Sequence, residues 1–178
     1  MQTSRCPLSR FLLPALGMSG ARKEVNHGRQ DEIVRKGIEL WNAHDRDGFL
    51  AVYDDGLVFF DQPFGGADHR PGGVRQGLLR PVWTEAYPDN QLKEVTLFGE
   101  GELVCFQARF VGTNTGIFHA AGMEMPPTGK PIDAPFVFIA EVGNGKVTRA
   151  WHYYDRLLAF EQEGIVSLET MFAELQAA

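Results

Sequence analysis

The chain has 178 residues, of which 44% are hydrophobic and 22% are charged, and its formal net charge is −6. This length and composition fit one globular domain with a sizeable core, and the acidic balance excludes a general attraction for nucleic acid or an anionic membrane. No apolar run approaches the roughly 18 residues of a membrane helix. Cys6 and Cys105 suggest neither a disulfide framework nor a metal site, so we expect a reducing, cytoplasmic setting.

The first 23 residues differ from the rest because they contain Arg and Lys but no acidic residue. Phe11–Leu16 is a short apolar patch, and Pro14 interrupts it. A targeting peptide can share these features, but the shortness of the patch favours a disordered extension. We therefore expect an extension at residues 1–26, a folded domain at residues 27–166 and a helical tail at residues 167–178.

Three helices are predicted in the first half of the chain. The first spans residues 30–42, where apolar side chains recur at helical spacing: Ile33, Val34, Ile38 and Trp41. Asp47 is predicted to cap a short second helix, which Asp54-Asp55-Gly56 ends. A strand at Leu57–Asp61 and a loop through residue 73 follow. The third helix, bent near Pro81, is marked by Val74, Leu78, Val82 and Trp83.

The second half is predicted to be mostly strand. The expected strands are Gln91–Phe98, Glu102–Gly112, Gly116–Ala120, Ile132–Val142 and Lys146–Tyr154. The glycine-containing segments 99–101 and 143–145 are typical of hairpin turns. A further helix is predicted at Arg156–Glu163. Helices followed by a run of antiparallel strands indicate an α+β fold.

Four short motifs occur in order along the chain. They are Ala86-Tyr87-Pro88-Asp89, Gly112-Thr113-Asn114-Thr115-Gly116, Pro126-Pro127-Thr128-Gly129-Lys130, and Gly145-Lys146-Val147 followed by Trp151-His152-Tyr153-Tyr154-Asp155 and Leu157-Leu158. Each is weak alone, but their order and spacing are fairly specific. From about Gln30 to Ile165, the chain resembles the SnoaL-like polyketide cyclases of the nuclear-transport-factor-2-like superfamily. The resemblance implies a curved antiparallel sheet wrapped on N-terminal helices, a cone with an internal pocket, and a homodimer.

The resemblance also implies a type of chemistry. In that family a carboxylate that directly follows the Trp of the last strand removes a proton from an activated carbon, and aldol ring closure proceeds without metal or organic cofactor. Here His152 occupies that position. Two family histidines correspond to Asn114 and a position near Phe138. The sequence shows no cluster of metal ligands, so we expect neither a metal nor another cofactor.

His152 is the first candidate catalytic residue, because an imidazole with an ordinary pKa near 6.5 suits proton transfer at neutral pH. It could equally be a structural histidine between the sheet and a helix. Asp155 is the second candidate. It could orient His152 or act as a base, or it could cap the following helix. A regular strand would place residues 152 and 155 on opposite faces.

Substrate contacts are expected from three polar residues. Asn114 offers both a donor and an acceptor, but it is also a common turn residue. Arg109 could bind an anion inside the cone or form a surface ion pair, with Asp61 or Glu141 as its partner. Three aromatic side chains could line the pocket or belong to the core: Trp83, Phe118 and Phe59.

The sequence leaves three functions open. The first is a cofactor-independent lyase or isomerase that moves a proton next to a carbonyl of a hydrophobic small molecule. The second is a non-catalytic, dimeric small-molecule-binding module. The third is an epoxide hydrolase of the same superfamily, which needs an Asp-Arg-Asp arrangement that Asp61, Arg109 and Asp155 could supply. Polar groups converging on one point of the pocket, with His152 among them, would favour catalysis.

Overall fold

The computed structural model describes residues 28–64, 66–68, 81–120 and 123–177. The predicted extension at residues 1–26 and the start of the predicted third helix therefore lie outside the described residues. No described helix is both long and apolar enough to cross a membrane.

Two helices open the described chain, α1 at Arg29–Asn42 and α2 at Arg46–Ala51. The prediction that Asp47 caps α2 is wrong. Asp45 is the cap, and its carboxylate accepts a 2.9 Å hydrogen bond from the Gly48 amide. Because a capping side chain bonds the amide three residues ahead of it, Asp45 is the residue within reach of the free amide of the first turn.

Asp54-Asp55-Gly56 was also misplaced, since it lies inside strand β1, Tyr53–Asp61, rather than between a helix and a strand. The ring of Tyr53 is buried and packs on Phe49 at a centroid distance of 5.0 Å. Burying this ring draws the chain into the sheet early, opposite Val147. Asp54, Asp55 and Gly56 lie where the register of β1 with β8 shifts, between Tyr53 and Val58, so they form an irregular part of the strand.

The remaining elements include all five strands predicted after residue 90, together with two short strands that were not predicted, Gly66–Asp68 and Met123–Met125. The strands are β2 (Gly66–Asp68), β3 (Gln91–Glu100), β4 (Leu103–Thr113), β5 (Phe118–Ala120), β6 (Met123–Met125), β7 (Pro131–Gly143) and β8 (Lys146–Tyr154). The helices are α3 (Pro81–Ala86), α4 (Arg156–Gln162) and α5 (Leu168–Ala177). Between β7 and β8, Asn144 and Gly145 have φ angles of 54° and 80°. Two consecutive positive φ angles are the signature of a type I′ hairpin turn.

Six strands form one curved sheet in the order β2-β1-β8-β7-β4-β3, and β5 pairs with β6 separately. The pairs of this sheet are antiparallel except β1 with β8, which is parallel. Alternation along β4 buries Val104, Phe106, Ala108 and Phe110 on the concave face. The N-terminal helix α1 packs on this face. The α+β prediction, with helices on one side of a curved and mainly antiparallel sheet, is confirmed.

Three of the four sequence motifs meet at one junction beside α3. The Asp89 carboxylate accepts hydrogen bonds from the amide and hydroxyl of Thr113, at 2.7 and 2.8 Å. The Asn114 side chain donates to the Ala86 carbonyl and accepts from the Thr128 amide. These contacts join the ends of α3 and β4 to the segment before β7. The motifs that carry the family resemblance therefore build the scaffold at this point.

Tyr87 anchors the same junction to the C-terminal part of the domain. Its ring is buried and stacks on Trp83 at 6.0 Å, and its hydroxyl donates a hydrogen bond to the buried carboxyl of Glu163 at the end of α4. Burial raises the pKa of Glu163, and the bond from Tyr87 acts in the opposite direction. Tyr87 thus fixes Trp83 in place and ties α4 to α3.

Replacing Tyr87 with Phe should lower the free energy of unfolding by about 1–3 kcal/mol, because the buried Glu163 carboxyl loses its partner. Urea unfolding measures this change. The matched control is Tyr153→Phe, which removes a hydroxyl from a side chain that is 43% exposed. Equal stability of the two variants would contradict the anchoring role.

Candidate active site

A cavity of about 100 Å³ lies between the concave face of the sheet and α1, α2 and α3. Most of its described lining is apolar. The aromatic part of the wall consists of Trp41, Phe49, Tyr53, Phe59, Trp83, Phe106, Phe110, Phe136 and Phe138. Phe59 and Trp83, two of the predicted contact residues, are part of this wall. Phe118 is buried behind Trp83, in edge contact at 5.7 Å, and supports the wall from outside the described lining.

Three polar side chains come together at the C-terminal ends of β1 and β8. Asp61 and His152 are register partners in the parallel pair, so their side chains project side by side from the sheet. Tyr154 lies two residues beyond His152 on the same face, with 4.7 Å between the ring centroids. All three line the cavity. A group placed at this end of the cavity therefore meets a carboxyl, an imidazole and a phenol.

The His152 ring is enclosed by aromatic side chains. Its centroid lies 5.2 Å from that of Phe136, 6.0 Å from Phe138 and 6.3 Å from Phe59. Burial in these surroundings lowers the pKa of His152 to about 4, because the charged form loses its hydration. The imidazole is therefore neutral at pH 7. A neutral imidazole presents one N–H donor and one acceptor nitrogen.

Burial acts on Asp61 in the opposite sense and raises its pKa to about 6, while the positive charge of Arg156 partly offsets the increase. Its Oδ1 atom is buried and has no hydrogen-bond partner among the described residues. The Tyr154 hydroxyl is also buried without such a partner. Burial and the nearby Asp61 carboxylate both raise the pKa of Tyr154, so the phenol stays protonated. A buried polar atom without a partner costs about 1–3 kcal/mol, which a ligand could recover.

Arg109 lies outside the cavity, on the convex face of the sheet. Its Nε donates to the Asp133 carboxylate at 2.6 Å. The sequence prediction of Asp61 or Glu141 as its partner is therefore wrong. Glu141 pairs with Arg149 instead, at 3.0 Å. The register explains both pairings, because Asp133 is a diagonal neighbour of Arg109 across β4 and β7, and Glu141 is directly opposite Arg149 across β7 and β8.

Asp155 and Asn114 are engaged in local structure. The Asp155 carboxylate is the N-cap of α4 and accepts a 2.9 Å bond from the Leu158 amide. Asn114 is 2% exposed, and both ends of its amide bond backbone groups of the junction described above. Neither residue is part of the described cavity lining. Asp61, Arg109 and Asp155 therefore do not converge on one point.

A role for Asp61 as the base was missed at the sequence level, where Asp61 was considered as a substrate contact, as a partner for Arg109 and as part of an epoxide hydrolase site. One signal could have pointed to it. A carboxylate that ends an apolar strand, Leu57-Val58-Phe59-Phe60, and precedes a Gly- and Pro-rich loop is well placed to face a cavity. Among the described residues, no group of three or more His, Cys, Asp or Glu side chains is arranged to hold a metal ion.

Three solved structures illustrate the likeness of the fold. A candidate SnoaL-like polyketide cyclase from Jannaschia sp. CCS1 superposes with a TM-score of 0.66 at 23% identity, covering 83% of this chain and 99% of the other. IdmH, a candidate polyketide cyclase from Streptomyces antibioticus, superposes with a TM-score of 0.58 at 22% identity, covering 77% of this chain and 99% of the other. A protein with a ketosteroid isomerase-like fold from Catenulispora acidiphila, in complex with trimethylamine, superposes with a TM-score of 0.59 at 14% identity. The match covers 75% of this chain and 92% of the other.

Among curated proteins, no sequence matches this chain significantly. The family model for the SnoaL-like polyketide cyclases, in contrast, matches residues 31–163, which include most of α1 and all eight strands of the described residues. The structural neighbours share the overall fold. This chain therefore belongs to the SnoaL-like polyketide cyclase family.

Proposed function

We propose that the protein catalyses proton transfer next to the carbonyl of a hydrophobic small molecule, as a cyclase or isomerase that needs no metal or organic cofactor. The observation that carries this proposal is the meeting of Asp61, His152 and Tyr154 at one end of an apolar cavity. Membership of the SnoaL-like family supports the reaction type. Apolar cavities with a few convergent polar groups and shifted pKa values are typical of active sites.

Asp61 is the better candidate for the general base. A base works best when its pKa lies near the operating pH, and the pKa of Asp61 is about 6. His152, with a pKa of about 4, is a weaker base and is already unprotonated at neutral pH, so it cannot serve as the acid. The role of base, first assigned to His152 from its position after Trp151, thus passes to its register partner.

His152 and Tyr154 then stabilise the product of proton removal. The Asp61 carboxylate takes the proton from the carbon next to the carbonyl. The electron pair of the C–H bond forms a C=C bond, and the π pair of the carbonyl moves onto its oxygen. The neutral imidazole and the protonated phenol can both donate a hydrogen bond to the resulting enolate. Fixed donors in a water-poor cavity contribute a few kcal/mol to such a step. In isomerisation the Asp61 carboxyl returns the proton to another carbon of the enolate. In ring closure the enolate carbon bonds to a second carbonyl carbon, and the oxygen of that carbonyl takes the proton from Asp61.

Of the other functions raised by the sequence, the epoxide hydrolase loses its support, because Arg109 and Asp155 lie outside the described cavity lining. The non-catalytic binding module uses the same cavity without turnover. The experiment that separates it from the proposed enzyme is hydrogen–deuterium exchange next to the carbonyl of a simple ketone, because exchange requires proton removal and not only binding.

The protein should accelerate deuterium uptake by cyclohexanone in D₂O, as followed by NMR. The rate should rise with pH to a plateau, with a midpoint near 6, because only the ionised Asp61 accepts a proton. Asp61→Asn should lower the rate roughly 10²–10⁴-fold. The matched control is Asp47→Asn, on the exposed surface of α2, which should leave the rate unchanged. Absence of exchange with the unmodified protein would favour the binding module.

Asp61→Asn should also stabilise the protein at neutral and alkaline pH. The pKa is about 6 in the folded state and 3.8 in the absence of burial, so ionisation of Asp61 costs stability as the pH rises through this range. The neutral amide avoids that cost. The gain in unfolding free energy at pH 8 should be at most about 3 kcal/mol, reduced because water reaches part of the carboxylate.

Thermal unfolding of Asp61→Asn and of the unmodified protein between pH 4 and pH 8 measures this difference. The advantage of the variant should shrink towards pH 4, where Asp61 is protonated in the folded state. A variant that is less stable than the unmodified protein at pH 8 would show that the carboxylate is held by favourable contacts rather than strained by burial.

We also propose that the protein forms a homodimer through the convex face of the sheet. Register places five apolar side chains in one row across this face: Phe98, Cys105, Ile139, Trp151 and Phe60. Phe98 is 60% exposed at one end of the row. An antiparallel sheet with apolar residues on both faces gains stability when its second face is also covered.

Analytical ultracentrifugation at micromolar concentration should show a dimer, and Phe98→Asp should shift it towards monomer. Phe172→Asp is the matched control, because Phe172 is also 60% exposed but lies on α5. A monomer at these concentrations, or equal effects of the two substitutions, would exclude the proposed interface.

A further inference from the structure

Four buried polar side-chain atoms have no hydrogen-bond partner among the described residues. They are the indole Nε1 of Trp41, Oδ1 of Asp61, Oδ1 of Asn90 and the hydroxyl of Tyr154. Trp41, Asp61 and Tyr154 all line the cavity described above. The proposed function uses Asp61 and Tyr154 and gives Trp41 no role. Because buried polar groups normally have partners, an unpartnered donor in a cavity wall points to a ligand that supplies one.

Trp41 borders the cavity from the helical side. It lies in the last turn of α1, whereas Asp61 and Tyr154 belong to strands β1 and β8 of the sheet. Its ring is in edge contact with that of Phe49 on α2, at a centroid distance of 5.2 Å. The cavity therefore has a hydrogen-bond donor on its helical wall in addition to the polar groups on its sheet wall.

The end of α1 that carries Trp41 is held in place by the neighbouring residue, Asn42. The side-chain amide of Asn42 donates to the Leu92 carbonyl at 3.0 Å, and its oxygen accepts from the Leu92 amide at 2.7 Å. These two bonds join the end of α1 to the start of β3. Together with the contact to Phe49, they restrict the indole before any ligand binds, which lowers the entropy that binding would otherwise lose.

The chemistry of the indole defines the group that it can bind. The Nε1–H of tryptophan donates a hydrogen bond and cannot accept one, so its partner must be an acceptor such as a carbonyl oxygen. In the proposed function the reacting carbonyl accepts from His152 and Tyr154. A partner for Trp41 within the same ligand is therefore a second acceptor, separate from the reacting carbonyl.

We infer that Trp41 is a specificity residue, whose indole N–H binds a second oxygen acceptor of the substrate. This inference rests on the proposed function for the position of the reacting carbonyl near His152 and Tyr154. It fits the ring-closing form of that function, in which the enolate carbon attacks a second carbonyl of the substrate. The protein should accordingly prefer a diketone to a monoketone of the same chain length.

Binding at pH 7, followed by ligand-detected NMR, measures this preference. The probes are heptane-2,6-dione against heptan-2-one and octane-2,7-dione against octan-2-one, so that two spacings of the carbonyls are compared. At least one diketone should bind more tightly than its monoketone. Trp41→Phe should lower that preference roughly 3–10-fold, the contribution of one neutral hydrogen bond.

The matched control is Trp83→Phe, which makes the same change of ring in the same cavity. The indole nitrogen of Trp83 is not one of the buried unpartnered atoms, so this variant should leave the preference unchanged. Absence of any preference for a diketone, or a preference that survives Trp41→Phe, would overturn the inference. An equal loss in both variants would also overturn it, since the effect would then come from the size of the ring.

The indole signal of Trp41 reports the hydrogen bond directly. The chain has three tryptophans and hence three indole N–H signals in a ¹H–¹⁵N spectrum, and Trp41→Phe identifies the one from Trp41. At equal saturation, the preferred diketone should move this signal further downfield than its monoketone. If Trp41→Phe does not fold, Phe variants of Trp83 and Trp151 identify the signal by elimination. Equal shifts with the two ligands would contradict the assignment.

These outcomes are separate from those for catalysis. A diketone preference that depends on Trp41, without deuterium exchange on any ketone, would refute the proposed proton transfer and leave the hydrogen bond of Trp41 intact. Deuterium exchange that depends on Asp61, together with a Trp41 signal that does not respond to the diketone, would refute the role of Trp41 and leave the proposed function intact.

Discussion

The site depends on one constraint, the parallel pairing of β1 with β8, which places Asp61 beside His152 at the edge of an apolar cavity. Burial favours the neutral form of each group. It raises the pKa of the carboxyl to about 6 and lowers that of the imidazole to about 4. An ion pair would have moved both values the other way. The usual order of the two pKa values, with the imidazole above the carboxyl, is thereby inverted, and the carboxylate becomes the stronger base of the pair.

The rest of the fold supports this arrangement from a distance. The contacts of Asp89 with Thr113 and of Asn114 with Thr128 hold the segments that flank α3. Tyr87 then links α3 to Glu163 and stacks on Trp83, which forms part of the cavity wall. The polar side chains of the junction are thus paired, whereas Asp61 and Tyr154 have buried polar atoms without hydrogen-bond partners among the described residues. Such unsatisfied groups are what a binding or catalytic site retains at a cost to stability.

The sequence predicted the elements well and the site less well, for physical reasons. The period-two pattern of β4 and the Asn144-Gly145 turn are local signals, and both led to correct strands and hairpins. The partners of Arg109 and Asp61 depend on register between strands that are far apart in the chain, which no local pattern encodes. The contacts of Asn114 could not be predicted for a related reason. Its side-chain partners lie on α3 and before β7, so its structural role appears only once the chain is folded.

The most direct test of the central claim is a site-resolved NMR titration of the Asp61 carboxyl carbon and the His152 ring in the unliganded protein. The inverted order of the two pKa values predicts that the carboxyl titrates near pH 6 and that the imidazole titrates near pH 4. Ordinary values, roughly 3.9 for the carboxyl and 6.5 for the imidazole, would contradict it. They would show that the two groups are hydrated or paired as ions, and that Asp61 is not poised to act as the base.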